Sequence, residues 1–443
     1  MPNSPTRSTS SFFLSRRFFP LFWVQFLGAF NDNLYKNAMI MLIAFQLSQS
    51  DEQTGLYITL AAGIFILPFF LFSAFAGQIA DHFPKSVLIR KIKLAEILIM
   101  ATGVLGLMSL QLEWLFVSLF LMGTQSAFFG PIKYSILPEV LKEDQLLRGN
   151  GWFSGSTFIA ILLGTIAGGS GVVLENGTVW VSMAVMAVAI VGYIASLMVP
   201  ETSQQTASVK IDKNIFRSTW QIIHSCRGYS QSFFSVMAIS WFWFIGAVLL
   251  SQIPTFVKYT LQANEDVVVA FLTMFSVGIA VGSGLVSKLS KKKVNLTYHP
   301  ALLLMMSLLL VFSVLVADSI MGQSAVRDSG VLMGLGEFLT LWPESLSLVF
   351  MFVLAVVGGA YIVPLYTYLQ IKTPQGTRAR MIAVNNIVNA FLMVLSSVLI
   401  MVGYMFDLTL PAMLLILAVF NVLIAVLFYL KRALYNESES VSE

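Results

Sequence analysis

The residues best suited to chemistry lie within a long apolar run that covers residues 18–47. Asp32 and Lys36 are one helical turn apart in this run. Asn33 and Asn37 have the same spacing, so the members of each pair can share one face of a helix. Charged side chains inside hydrocarbon are costly and usually face a cavity or one another. The spacing fits either an internal ion pair with helix-packing amides or a polar patch on a substrate pathway, and we favour the pathway.

Lys133 and Tyr134 form a second candidate pair, near the end of another apolar run. They follow Gly130 and Pro131, and a proline interrupts a helix because it lacks a backbone donor. A lysine in this place can bind an anionic group, or it can extend its ammonium to the membrane interface. Asp32 is the one acid that the sequence places well inside a predicted span. The rise of a helix places Asp32 and Lys133 at different depths, so we do not infer a direct pair between them.

Three asparagines, Asn385, Asn386 and Asn389, lie on one side of a later predicted helix. Their amides can line a cavity in the second half of the molecule or form hydrogen bonds between helices, and the sequence favours neither interpretation. Gly164 and Gly168 are one turn apart and predict a close contact between two helices.

The composition is that of a protein that crosses the membrane many times. Of 443 residues, 57% are hydrophobic and 11% are charged, which is about half the charge of a soluble domain. The single Cys226 excludes a disulfide framework, and the three histidines are too scattered for a ligand cluster. The sequence has no G-x-x-x-x-G-K-[ST] run and no nucleophile–base pattern. We therefore predict no enzymatic activity, no cofactor, no metal site and no nucleic-acid partner.

Twelve apolar runs are long enough to span a membrane, which takes about 20 residues. They cover residues 18–47, 54–80, 87–110, 113–137, 146–170, 178–199, 230–259, 266–288, 298–318, 346–371, 378–404 and 409–431. If the N-terminus is cytoplasmic, 23 of the 26 Lys and Arg residues fall on the cytoplasmic side, Lys93 among them. This asymmetry predicts twelve spans with both termini in the cytoplasm.

The spans divide the chain into two groups of six, the layout of many alternating-access transporters. The apolar stretch 330–343 is too short for a span, so we predict an external loop over residues 319–345. The predicted domains are a cytoplasmic tail (1–17), a six-helix bundle (18–199), a cytoplasmic linker (200–229), a second bundle (230–431) and a cytoplasmic tail (432–443).

The linker contains apolar residues at helical spacing among basic ones. These residues are Ile211, Ile215, Phe216, Trp220 and Ile223. The pattern fits a helix on the inner leaflet of the membrane or an ordinary soluble helix about equally well.

The turn after the second span contains Gly77, Asp81 and Lys85. This turn resembles the loop signature of the major facilitator superfamily, G-x-x-x-D-R-x-G-R-[RK]. His82, Pro84 and Lys85 depart from it at the places of its Arg, Gly and Arg, and Ser86 stands at the last basic position. The resemblance implies an all-α membrane fold of twelve helices in two six-helix bundles. It also implies a cytoplasmic gate in which Asp81 holds the bundles together; the alternative is an ordinary acid at a helix end.

Three segments extend this resemblance to the lysophospholipid transporters of that superfamily: QFLGAFNDNLYKNAM, FFGPIKYSILPE and GNGWFSGSTFIAILLGTIAGG. The likeness is greatest to the transporter module that some bacteria fuse to an acyltransferase and an acyl-carrier-protein synthetase. Asp32 and Asn33 match the polar centre of the first span, and Lys133 and Tyr134 match the motif of the fourth. In the seventh span, where such transporters can carry a basic residue, the nearest polar group is Gln252.

The resemblance implies that the protein flips lysophosphatidylethanolamine and related lysolipids from the outer to the inner leaflet of a bacterial inner membrane. A separate acyltransferase would then re-acylate them. The alternative is an exporter of drugs, siderophores or other small metabolites on the same fold. The candidate substrate-binding residues are Asp32, Asn33, Lys36, Lys133, Tyr134, Asn385 and Asn389. The candidate gate residues are Gly77, Asp81 and Lys85.

Overall fold

A computed structural model describes residues 12–48, 51–203, 211–212, 214–289, 294, 296–324 and 332–431. These residues form helices and connecting segments, with one isolated backbone bridge between Ala263 and Met333. We number the twelve long helices of this part of the chain in order. They are α1 (Phe19–Leu42), α2 (Asp51–His82), α3 (Lys85–Ser109), α4 (Leu112–Ser135), α5 (Glu143–Val172), α6 (Gly177–Leu197), α7 (Ser230–Thr255), α8 (Glu265–Leu289), α9 (His299–Ser324), α10 (Trp342–Lys372), α11 (Arg378–Met405) and α12 (Leu410–Leu430).

Each long helix corresponds to one predicted apolar run. Among the described residues, eleven of the twelve helices are long and apolar enough to cross a membrane. The exception is α1, whose hydropathy is lowered by polar residues such as Asn31, Asp32 and Lys36. The all-α membrane architecture predicted from the sequence is therefore confirmed, and the chain is a multi-pass membrane protein.

Shorter elements join or extend the long helices. Turns of π-helix, Ile43–Leu47 and Phe256–Thr260, extend α1 and α7, and the short helices are Leu137–Val140, Ile215–Arg227 and Leu335–Thr340. Helix α9 continues to Ser324 and α10 begins at Trp342. The connection between them is therefore shorter than the loop predicted over 319–345, because the helices continue past the apolar runs. Parts of the predicted domains lie outside the described residues. They include residues 1–11 of the predicted tail 1–17, residues 204–210 and 213 of the linker, residues 325–331 of the external loop, and the tail 432–443.

The chain divides into two compact units. The first unit contains the chain up to Gly149, Ala160–Gly228 and Thr373–Ile387. The second unit contains Asn150–Ile159, Tyr229–Lys372 and the chain from Val388. The middle of α5 thus belongs to the second unit and the start of α11 to the first.

Within the first unit, α1 and α5 are in backbone contact. A Cβ atom added to Gly164 would lie 2.4 Å from the carbonyl oxygen of Phe30, and one added to Gly168 would lie 2.1 Å from that of Leu34. On another side of α1, the buried Tyr35 donates a hydrogen bond to the Leu115 carbonyl of α4 at 3.3 Å. The predicted small-residue contact is confirmed. Because the face of α1 that contains Phe30 and Leu34 packs against α5, Asp32 and Lys36 lie on another face of the helix.

Within the second unit, buried amide hydrogen bonds connect α7, α9 and α12. Asn421 of α12 donates to the Leu303 carbonyl of α9 at 2.7 Å and accepts from the Trp241 indole of α7 at 2.8 Å. His299, at the start of α9, lies 3.0 Å from the Tyr361 carbonyl of α10. These hydrogen bonds satisfy polar groups that would find no partner in the hydrocarbon of the membrane.

Candidate functional site

The polar centre of α1 presents two charged side chains that are only half-buried. Asp32 accepts a hydrogen bond of 2.7 Å from the Ser126 hydroxyl of α4. The Lys36 ammonium lies 5.6 Å from the centre of the Phe65 ring of α2. Among the described residues, neither Asp32 nor Lys36 has an opposite charge within the 4.0 Å of an ion pair. The two charges therefore remain available to other groups.

The asparagines of α1 have a different environment. Asn33 donates to the Ala29 carbonyl at 2.8 Å, and its Cβ lies against Gly164 of α5. Asn37 donates to the Asn33 carbonyl at 2.8 Å and to the Thr165 hydroxyl of α5 at 3.1 Å. These donors serve α1 itself and its contact with α5. A role for Asn33 in substrate binding stays a prediction.

A buried ion pair lies beside this centre, and the sequence interpretation missed it. Lys93 and Glu96 of α3 are 2.6 Å apart, with side chains 0% and 2% exposed. The assignment of Lys93 to the cytoplasmic side was wrong, and so was the statement that Asp32 is the one acid inside a span. Helix α3 begins at Lys85, so both side chains lie about 12–17 Å along it. The acid–base spacing of three residues in an apolar run was the available signal.

Glu96 connects three helices. Besides Lys93, it accepts hydrogen bonds from Asn31 of α1 at 3.2 Å and from Gln125 of α4 at 3.1 Å. Asn31 precedes Asp32, and Gln125 precedes Ser126, the donor to Asp32. The Glu96 carboxylate thus holds the two helical segments that position the Asp32 carboxylate.

Lys133 lies near the end of α4, which continues through Pro131 to Ser135. Its half-buried ammonium is 5.1 Å from the centre of the Tyr134 ring. No acid within ion-pair distance of Lys133 occurs in the described part of the chain. Lys133 of α4 and Asp32 of α1 both belong to the first unit, and they form no ion pair there.

The three asparagines of α11 separate into two settings. Asn385 is fully buried, and neither of its amide atoms has a hydrogen-bond partner among the described residues. The amide nitrogen of Asn386 also lacks one. It lies against α4, where a Cβ atom added to Gly130 would be only 2.4 Å away. Asn389 belongs to the second unit and accepts a hydrogen bond of 2.6 Å from Ser240 of α7.

Asp81 binds the start of α11 within the first unit. Its carboxylate accepts from the backbone N–H groups of Ala379 at 3.0 Å and Arg380 at 3.2 Å, and from the Arg380 guanidinium at 3.0 Å. A carboxylate at a helix N-terminus satisfies free donors and complements the helix dipole. A Cβ atom added to Gly77 would be 2.7 Å from Ala383, so the two helices touch there. Arg380 was not predicted as a partner.

Lys85 belongs to another contact. Its ammonium lies 2.5 Å from the Glu139 carboxylate of the short helix Leu137–Val140, and the two side chains are 3% and 9% exposed. The candidate gate residues thus serve two contacts, α2 with α11 and α3 with the end of α4. In the described residues, no group of three or more His, Cys, Asp or Glu side chains could hold a metal ion.

Known proteins resemble this chain in both sequence and fold. The model of the Major Facilitator Superfamily matches residues 21–396. The chain is 28% identical over 370 residues to the lysophospholipid transporter LplT of Citrobacter koseri, covering 82% of each protein. It is 28% identical over 372 residues to LplT of Escherichia fergusonii, with the same coverage. The structure of the E. coli fucose:proton symporter FucP shares the fold, with a TM-score of 0.65, 14% identity and coverage of 92% of this chain and 97% of that one. The family match covers most of the chain and agrees with its helical architecture, so this chain belongs to the Major Facilitator Superfamily.

Proposed function

We propose that this protein flips lysophospholipids from the outer to the inner leaflet of a bacterial inner membrane by alternating access. The two relatives above carry the name of lysophospholipid transporters. The observation that carries the proposal is the set of three half-buried charges on α1 and α4, Asp32, Lys36 and Lys133, none of which forms an ion pair among the described residues. Charges in such positions usually serve a transport pathway.

The charges match a phospholipid headgroup. Two lysines and one aspartate leave one positive charge in excess, which suits a phosphate. Lys133 supplies a cation for the phosphate, and charge-assisted hydrogen bonds of this kind are strong in a medium of low dielectric constant. The ammonium of an ethanolamine headgroup needs an acid, and Asp32 supplies it. Lys36, one turn from Asp32, favours its ionised form or competes with the ammonium for it.

The buried amides of α11 extend this site. Unpaired polar groups cost about 1–3 kcal/mol each when they are buried. Asn385 has two such amide atoms, and Asn386 has one directed at Gly130, one turn from Lys133. We assign them to the glycerol and phosphate oxygens of the substrate. The single acyl chain needs no polar pocket if it stays in the bilayer while the headgroup moves.

The contact of Asp81 with the start of α11 is assigned to the cytoplasmic gate of the transport cycle. We further propose that both termini are cytoplasmic, on the basis of the positive-inside rule. A lysolipid that reaches the inner leaflet lacks one acyl chain, so a separate acyltransferase is the functional partner that we propose.

The test is uptake of fluorescent lysophosphatidylethanolamine by proteoliposomes that contain the purified protein. We expect Lys133→Ala and Asp32→Ala each to reduce uptake at least several-fold, since removing one charged partner of a buried contact commonly costs about 2–5 kcal/mol. Lys258→Ala is the matched control. Lys258 also lies over the ring of the next residue, Tyr259, at 5.2 Å, but it is exposed at the end of α7. This control should transport like the wild type.

Further measurements separate the competing functions. Wild-type uptake by both variants would make the polar centre structural and contradict the site. If Asp32 binds a coupling ion instead, Asp32→Asn should retain lysolipid binding but lose the dependence of uptake on pH or sodium. Absence of lysolipid uptake by the wild type, together with transport of a drug or siderophore, would support the exporter instead.

A further inference from the structure

The helix Ile215–Arg227 between α6 and α7 has one face fixed to the first unit. Ser218, Ile222 and Cys226, spaced four residues apart, are buried. Ser218 accepts a hydrogen bond from the Gln78 amide of α2. Asn214 caps the helix by accepting from the backbone of residue 217 at 3.1 Å. The helix is therefore an ordered element with a defined orientation on α2.

Its other side exposes two large aromatic side chains. Phe216 is 79% exposed and Trp220 is 73% exposed, and they are one turn apart. Burial of an aromatic side chain away from water is favourable, and a tryptophan has an indole N–H suited to a polar boundary. Phe216 and Trp220 thus form an apolar face that nothing described in the first unit covers.

The charge of this helix indicates what covers that face. Residues 215–227 contain no acid, and Arg217, His224 and Arg227 are exposed. Asp212, just before the helix, lies 3.6 Å from Arg217 and leaves Arg227 unpaired among the described ion pairs. Lys210 and Lys213 precede them in the sequence. A basic helix with exposed aromatic residues is suited to an anionic lipid surface, where the rings enter the boundary between headgroups and acyl chains.

The position of the helix in the chain brings that surface close. Arg227 is three residues before Ser230, where the membrane-spanning α7 begins. The C-terminal end of the helix must therefore lie near the surface of the bilayer that α7 enters. A lipid surface is present there in every state of the protein.

We propose that the face formed by Phe216 and Trp220 is a membrane anchor that binds anionic phospholipid headgroups. The basic residues attract the anionic leaflet, and the two rings enter it. The anchor does not depend on which substrate the protein transports.

The test uses full-length protein in nanodiscs and the emission of Trp220, one of eight tryptophans. Its contribution is the difference between the wild type and Trp220→Phe. With phosphatidylglycerol discs, we expect lipids brominated near the headgroup to remove most of this emission. With phosphatidylcholine discs or high salt, the loss should be smaller because the charge attraction is weaker or screened. Phe216→Ser should also reduce the loss of Trp220 emission that brominated lipid causes.

Trp180 provides the matched control. It is 59% exposed on the membrane-spanning α6, so brominated lipid should quench its contribution regardless of lipid charge. A Trp220 contribution that resists brominated lipid but is quenched by aqueous acrylamide overturns the proposal and leaves the face to solvent or to a protein partner. Because no transport is measured, this outcome is independent of the proposed lysolipid activity.

Discussion

The Glu96 carboxylate is the most highly connected polar group near the candidate site. It accepts from Lys93, Asn31 and Gln125, which belong to three helices. A buried ion pair contributes little net stability compared with apolar residues, but removal of one partner leaves a charge without compensation. Substitutions of Lys93 and Glu96 can therefore show whether these two charges hold α1, α3 and α4 in place or bind substrate.

We predict that Glu96→Gln destabilises the protein more than the double variant Lys93→Met, Glu96→Gln. The single substitution leaves the Lys93 ammonium buried and unpaired, at a cost of about 3–5 kcal/mol. The double substitution removes both charges, and the amide oxygen of the glutamine introduced in α3 can still accept from Asn31. The measurement is the Tm of each variant in the same lipid nanodiscs.

A surface pair serves as the control for this comparison. Arg217 and Asp212 are 3.6 Å apart, with the arginine side chain 70% exposed. Exposed pairs are worth about 0–1 kcal/mol, so Arg217→Gln should leave the Tm almost unchanged. A double variant as unstable as Glu96→Gln would show that the lost hydrogen bonds, and not the isolated charge, cause the effect.

At the scale of helices, the sequence predicts positions along the chain better than contacts between distant residues. Apolar length and hydropathy are local properties, so the twelve runs anticipate α1–α12 to within a few residues. The spacing of Gly164 and Gly168 also predicts a close contact, although not that α1 is the partner. Lys93 was assigned to the wrong environment because counting charges by side cannot detect that an acid one turn away neutralises a lysine inside the span.

We predict that Gly168→Ala separates α1 from α5 and lowers both stability and transport. The new Cβ atom would lie 2.1 Å from the Leu34 carbonyl oxygen, and a backbone atom cannot move without the helix. Gly246→Ala is the matched control, since no atom lies within 4 Å of its new Cβ. There, alanine should be neutral or slightly stabilising in the helix. Equal Tm values for the two variants would contradict the contact between α1 and α5.

At the scale of the whole molecule, the loop signature identified Asp81 but not its partner. Arg380 is 299 residues away in the sequence, and only the fold brings α11 to α2. The same holds for Asn386 and Gly130, whose proximity depends on the packing of α4 with the start of α11. The unpaired amides of Asn385 could not be predicted, since the sequence pattern fits a hydrogen-bonded amide equally well. The sequence could therefore identify candidate residues within one span, but not the contacts that they form with residues of other spans.

We predict that a reporter fused after Gly330 is external and one fused after Lys372 is cytoplasmic. Helix α10 (Trp342–Lys372) lies between the two positions and crosses the membrane once in the twelve-span topology. Alkaline phosphatase and green fluorescent protein fusions measure the two sides independently. Reporters on the same side would contradict the topology of the second group of six spans.

The last prediction uses the single cysteine as a reporter on the contact of Asp81 with α11. Cys226 is 3% exposed on the helix that packs against α2. Burial raises the pKa of its thiol to about 11, so only about one thiol in a thousand is ionised at pH 8. Because the thiolate is the reactive form, maleimide should label the wild-type protein slowly.

Asp81→Asn should increase this labelling rate while the protein stays folded. Asparagine can accept one backbone hydrogen bond but cannot compensate the buried Arg380 guanidinium, so α2 and α11 lose their charge-assisted bonds. Access of Cys226 to water and loss of the Asp81 charge, which also raises the pKa of the thiol, both lower this pKa towards the ordinary value of about 8.5. Labelling at pH 8 therefore becomes faster. Asp212→Asn, which alters a half-buried acid beside the same helix, should label like the wild type. If Asp81→Asn also labels at the wild-type rate and transports normally, the carboxylate is an ordinary helix cap and the proposed gate lies elsewhere.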